Sequence, residues 1–280
     1  LFLFTNNYSV LWPHNVATME IIGYTLSIFI GITLGLIGAG GSILTVPVLV
    51  YLFHIHPTLA TSYSLFIVGS TSFIGSFIKT KEKCVNFRAT LYFGISSVIV
   101  VLLVRKVLLV HIPEVILEIN HYQLTKSTLT MISFATLMLG SSWSMIKNKK
   151  IQSSPQHPVK QHTIKMIAWG IGIGLVTGFL GAGGGFLIIP ALVILLHMPI
   201  RIAIGTSLSI ITINSLIGFL GDIDHITIDW NFLFKLLTIT TLGVGIGNQL
   251  QKKIQTDHLK PIFGWFIFIV GIYILIKELF

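Results

Sequence analysis

Two short stretches carry the chemistry this chain can do. Residues 34–47 read LGLIGAGGSILTVP, and residues 177–190 read TGFLGAGGGFLIIP. A helix that starts just after Gly41 or Gly184 presents unpaired N–H groups with a partial positive charge. Successive amides with no side chains in the way make a cradle for an anion. The cradle residues read from the sequence are Gly38, Ala39, Gly40, Gly41 and Ser42, and again Gly181, Ala182, Gly183, Gly184 and Gly185. Ser42 adds a hydroxyl where Gly185 leaves backbone alone. Further along, TSYS (61–64) and GTSLS (205–209) offer hydroxyls, so Ser64, Thr206 and Ser207 join the candidate substrate contacts, with Asn214, a primary amide inside an apolar run. Each of these side chains also has a plainer use as hydrogen-bonding glue between helices in lipid. Gly31, Gly35, Gly174 and Gly178, spaced as GxxxG, read as close helix packing rather than as ligands.

Other chemistries find little support. Cys84 is the single cysteine, which excludes an intrachain disulfide and a cysteine-based metal site. His54 and His197 recur beside prolines near the end of the short apolar segment, where a cation favours a helix C-terminus, so they read as caps. No carboxylate cluster accompanies His54 and His56, so no metal is expected. No catalytic residue and no cofactor is predicted, and the absence of GxGxxG after a strand argues against a dinucleotide fold. Asp222 and Asp224 are candidates for coupling to a proton or cation, but they fall in GDIDHITID (221–229), read as a solvated external loop. Arg105 and Lys106, near the outer end of their span, either snorkel to the headgroups or face the protein interior.

The elements that must position these residues are membrane helices. Of the 280 residues 53% are hydrophobic and only 10% charged, and mean hydropathy is +0.89. Soluble domains carry about 25% charged residues. Apolar segments run over 20–37, 42–55, 58–78, 89–110 and 126–146, then 164–181, 185–197, 202–220, 231–251 and 261–279. The fold class is therefore all-α, a polytopic helical membrane protein. The expected organisation is an N-terminal segment (1–19), a first transmembrane repeat (20–146), a cytoplasmic linker (147–163) and a second repeat (164–280). The chain opens on Leu1 rather than Met, so its natural start is expected to differ. The net charge of +9 sits in connecting loops, as membrane topology demands, so nucleic acid is not an expected partner.

Basic loops at 79–88, 146–165 and 252–253 read as cytoplasmic, and the acidic loops 111–125 and 221–229 as external. Each half then crosses the membrane an odd number of times, and two related halves must have opposite orientation. The halves are related. Sliding the first forward by 143 positions puts Gly38 on Gly181, Pro47 on Pro190, Ser64 on Ser207 and Ser72 on Ser215. Inverted repeats with broken helices at glycine-rich turns are a transporter architecture. The segment after each turn is too short to cross about 30 Å of hydrocarbon, so the turns are expected at membrane depth.

Two copies of GxxGAGGxxLxxP, the AxGTSL element (203–208) and the ending LKPIFGWFIFIVGIYIL resemble the TauE/SafE family of sulfite exporters, over about 20–280. The resemblance implies a multi-pass transporter of a bacterial-type plasma (inner) membrane that exports small anions, sulfite or organosulfonates foremost. The expected partners are the anionic substrate, the lipid bilayer and a coupling proton or cation, with homo-oligomerisation open. The expected mechanism is alternating access, the two turns meeting near the midplane. An anion channel of the same architecture is the alternative, and a membrane-embedded enzyme a more distant one.

Overall fold

The computed structural model describes residues 13–38, 41–113, 115–119, 122–147, 163–181, 183–196, 198–251 and 256–279. The order is α1 (Pro13–Ile37), α2 (Ser42–Tyr51), α3 (Pro57–Lys81), α4 (Phe87–Leu103), the single turn α5 (Leu109–His111), β1 (Val115–Ile119), β2 (Tyr122–Thr125), α6 (Lys126–Lys147), α7 (Thr163–Leu180), α8 (Gly185–Pro190), α9 (Ile200–Asp222), α10 (Trp230–Gln251) and α11 (Thr256–Leu279). π-helical turns at Val104–Leu108 and Ala191–Leu195 extend α4 and α8. Among the described residues six helices are long and apolar enough to cross a bilayer, as an all-α polytopic protein requires. α1 begins at Pro13, ahead of the expected 20, and 148–162 of the expected linker lie outside the described residues.

Part of loop 111–125 departs from expectation. β1 and β2 pair antiparallel, with Val115 opposite Thr125 and Ile119 opposite Tyr122. Val115, Ile116, Ile119, Tyr122 and Thr125 are strand-favouring types, but so short a run between long helices was read for its charge alone.

The helices show why a hydrophobic pattern inside lipid differs from one in water. On α4, Leu91, Ile95, Ile99 and Leu103 are exposed, while Ala89, Phe93, Ser97 and Val101 are buried. Both stripes follow the four-residue spacing of a helix face. The outward stripe is large and apolar because it meets lipid; the inward one admits small and polar residues because it meets helices.

Those inward contacts are backbone-close. α1 runs parallel to α10: a Cβ on Gly35 would lie 2.5 Å from the Val244 carbonyl oxygen, and Gln251 Nε2 donates to the Leu36 carbonyl at 2.8 Å. α7 runs beside α4 in the same manner, and a Cβ on Gly174 would lie 2.6 Å from the Ser97 carbonyl oxygen. Gly31 and Gly178 are equally tight, so all four GxxxG glycines serve packing, as read from the sequence.

The packing maps onto itself when the halves are exchanged. α1 lies on α10 and α7 on α4; α3 crosses α9, α6 lies on α11, and α2 touches α8. Residue detail follows the offset of 143 positions. Asn86 Oδ1 accepts from Ala89 N–H at the start of α4, and Asp229 Oδ1 from Phe232 N–H at the start of α10, each at 3.0 Å. The Asn86 N–H donates to Thr206 Oγ1 and the Asp229 N–H to Tyr63 Oη, again equivalent positions. Two helix starts are thus capped and tethered by one scheme used twice.

Replacing Gly35 or Gly174 by Ala forces apart backbones that have no room to yield, a cost of about 1–3 kcal/mol. The thermal unfolding midpoint of the detergent-purified protein is expected to fall for each. Gly172→Ala, which meets nothing within 4 Å, should leave it unchanged or raise it.

Candidate functional site

α1 ends against α9, where Gly38 takes a left-handed φ of +81° and packs on Ile204. The chain then turns back: Gly41, at φ −63°, is already tucked against Ile30, Thr33 and Leu34, partway back along α1. α2 therefore begins in the interior with the buried Ser42, and its 10 residues cover only about 15 Å. The second turn is built likewise at the opposite end of the bundle. Gly181 (φ +67°) packs on Thr61 and Arg105, Gly183 (φ +68°) lies beside Val68, Ile211 and Ser215, and Gly184 (φ +66°) lies against Thr177. L-residues pay a steric penalty in this conformation, which is why glycine holds these positions. Among the described turn positions the copies differ at one pair: Gly184 is left-handed where its equivalent Gly41 is right-handed. Gly185 opens α8, which keeps regular α geometry only to Pro190. Ala39, Gly40 and Ala182 lie outside the described residues.

The polar candidates divide into two kinds. Thr206 is buried and its hydroxyl is engaged, accepting from the Asn86 N–H at 2.9 Å; it anchors the start of α4. Ser64, Ser207, Ser72 and Ser215 are each 0% exposed, and none of their hydroxyls has a hydrogen-bond partner. Ser64 and Ser207 occupy equivalent positions, as do Ser72 and Ser215. Asn214 is also fully buried; one amide atom bonds Ser97 Oγ at 2.9 Å and the other is left without a partner, whichever way the amide is turned. Thr177 Oγ1, beside Gly184, is unpartnered too. Buried polar atoms are nearly always satisfied, and each exception costs about 1–3 kcal/mol.

These groups do not all converge. Gly75 faces Leu208 and Gly69 faces Leu216 across the α3–α9 crossing. Ser207 therefore lies level with about residue 75, roughly 17 Å along the axis from Ser64. Ser72, Asn214 and Ser215 sit close to the crossing itself, and Ser215 faces Gly183. The centre consists of Ser72, Asn214, Ser215 and the second glycine turn, with Ser64 and Ser207 to either side along the axis.

The sequence reading missed Arg105 and Asp222 as a unit. Asp222 is the last residue of α9, not part of a solvated loop, and is 9% exposed; Asp224 is exposed. Arg105 is 3% exposed and turns inward. Its Nη1 donates to Asp222 Oδ2, which also accepts from Ser62 Oγ at 2.5 Å. Its Nε donates to the Gly178 carbonyl at 2.8 Å, capping the open end of α7. A π-helical turn carries Arg105, a local widening of the kind common at functional sites. The available signal was asymmetry: the positions equivalent to Arg105 and Asp222 hold Asn248 and Lys79.

Long apolar helices, two of them ending in buried glycine turns, with unsatisfied polar groups near the α3–α9 crossing, define a multi-pass membrane protein with a buried polar centre. Residues 24–274 match the sulfite exporter TauE/SafE family, and the chain belongs to that family of membrane transporters. A "Probable membrane transporter protein" of Xylella fastidiosa (strain 9a5c) is 27% identical over 251 residues, 88% of this chain and 91% of its own length. The "Probable membrane transporter protein YunE" of Bacillus subtilis (strain 168) is 25% identical over 283 residues, 93% of this chain and 98% of its own. The "Probable membrane transporter protein MJ0441" of Methanocaldococcus jannaschii is 24% identical over 263 residues, 88% and 92%. No solved structure gives a significant match.

The two kinds of hydroxyl respond oppositely to removal. In ligand-free protein, Ser215→Ala is expected to be neutral or to raise thermal stability, since it deletes an unsatisfied group. Thr206→Val strands the Asn86 N–H and should cost about 1–3 kcal/mol. Parallel unfolding curves of the two variants check the sign.

Proposed function

We propose that this chain is a secondary transporter for small oxyanions, with sulfite and organosulfonates as the favoured cargo, working by alternating access between two inverted repeats in a bacterial-type inner membrane. The observation that carries the reading is the set of unpartnered polar groups near the α3–α9 crossing, Ser72, Asn214 and Ser215, of which Ser215 lies against the left-handed turn at Gly183. Buried donors without a protein partner call for a partner from elsewhere, which a bound solute supplies. Broken backbone at this depth belongs where protein or a wet cavity covers it.

The sign of the guest follows from the surroundings. The charged residues buried among the described ones are Lys79, Arg105 and Asp222, and none of the three lies at the crossing. A cation would have no carboxylate there. An anion meets hydroxyls, an amide and the positive ends of helices. The exchange symmetry of the packing supports the inverted-repeat reading, because such a pair gives one crossing two equivalent approaches. The family's name supports the sulfur oxyanion and the outward direction.

Uptake of labelled sulfite or methanesulfonate into proteoliposomes tests this. Asn214→Leu is expected to fold and to lose about tenfold or more in flux, in line with removing a charge-assisted hydrogen bond. Undiminished flux in a folded Asn214→Leu protein overturns the central site. Counterflow separates the carrier from a channel, since only a carrier speeds labelled uptake when preloaded on the far side.

A further inference from the structure

A cavity of about 450 Å³ opens at the end of the bundle away from the basic 79–88 loop, lined among others by Thr61, Ser62, Arg105, Lys126, Thr130 and Asp222. Its size suits a small ligand. We propose that it is a separate oxyanion-binding station anchored by Arg105, which Asp222 occupies from within the chain until cargo displaces it. The proposal rests on the anion-carrier reading but concerns a different place.

Three observations carry it. The first is a half-filled fork. Arg105 gives Asp222 a single donor: Nη1 bonds Asp222 Oδ2, which also takes the Ser62 hydroxyl, while Nε is held by the Gly178 carbonyl. Nη2 has no partner: it is buried against Gly181, in a residue whose other atoms line the cavity. Guanidinium can only donate, and its preferred guest spans two donors with two oxygens. Sulfite, sulfonate and sulfate groups have that shape; Asp222 as held here does not use it.

The second is charge. Lys126 also lines the cavity and its Nζ is held on the Leu109 carbonyl. Among the described lining residues two cations face one carboxylate, a net positive charge even with Asp222 seated. Thr61 and Thr130 supply hydroxyls around the same space.

The third is the broken symmetry. The positions equivalent to Ser62, Arg105 and Asp222 are Gly205, Asn248 and Lys79. In that half Gly205 fits against the Cys84 carbonyl, and Lys79 pairs with Glu82 at 2.7 Å instead of reaching across. The other half caps the end of α1 with the neutral amide of Gln251 on the Leu36 carbonyl, so the capping that Arg105 Nε performs at α7 does not itself call for a charged pair. The desolvation cost of the buried pair beyond that duty fits a role toward a ligand.

Titration calorimetry of the detergent-purified full chain at low salt, with sulfate and methanesulfonate as probes, tests the station. Ser62→Ala keeps every charge but loosens Asp222, and should tighten binding a few-fold. Asp222→Asn should tighten it by about tenfold or more, and Arg105→Gln should abolish it. Asp222→Asn leaves a buried guanidinium unpaired and can fail to fold, so the exchange Arg105→Asp with Asp222→Arg supplies the second arm. That exchange is expected to fold like the parent and not to bind. Parent-like binding by the exchanged chain makes the pair structural and overturns the proposal, as does a folded Ser62→Ala chain that binds no tighter. Asn214→Leu should leave calorimetric binding at the station intact while lowering flux. Normal flux in that variant therefore counts against the central site alone.

Discussion

A peptide group left unpaired in hydrocarbon has no solvent to fall back on, and this penalty shapes the whole molecule. A chain that interrupts its helices at Gly38–Gly41 and Gly181–Gly184 must bury those interruptions in protein. α3 and α9 are the two helices against which the turns lie, and their buried faces interleave serine, threonine and glycine with large apolar residues such as Leu65, Ile67, Leu208 and Ile211. α1 with α10 and α4 with α7 then press close enough that carbonyl oxygens occupy the space a methyl would need. Small residues at these seams let backbones meet where lipid offers no hydrophobic force to join them.

Duplication explains the economy of the arrangement, and its exceptions carry the specificity. The tethers Asn86 to Thr206 and Asp229 to Tyr63 repeat with different hydroxyls, as selection for geometry alone allows. The unpartnered serines repeat with the same residue. Where the halves differ in charge, at Arg105 and Asp222 against Asn248 and Lys79, the difference falls beside a cavity. Structural duties survive in both copies here, and the unique charged residues cluster where a solute can reach them.

Much of the helix plan was legible because lipid imposes long apolar runs and because glycine and proline mark the interruptions. α3, α4, α9 and α10 lie within a few residues of the segments read from composition. The GxxxG packing and the burial of Ser64, Ser207 and Asn214 were legible for the same reason: a polar atom in an apolar run needs cover. Three things were not. Thr206 looked like a ligand because its tether to Asn86 lies 120 residues away in sequence. Asp222 looked solvated because a carboxylate at a helix end is usually wet, and only the inward turn of Arg105 reverses that. The β1–β2 hairpin was too short for alternation to outweigh the neighbouring helices.

The unequal chemistry of the two ends bears on what a duplicated carrier can achieve. On the proposed reading, a guanidinium that lines one mouth and has no counterpart in the other half gives the empty protein different half-saturation levels on its two faces. Such inequality cannot by itself pump: detailed balance forces any gain in grip on one face to be repaid in slower departure from it. Net direction must come from the solute's own gradient or from a second species whose movement is tied to the same cycle, and Arg105 with Asp222 only sets how full the transporter stands on each side while it waits.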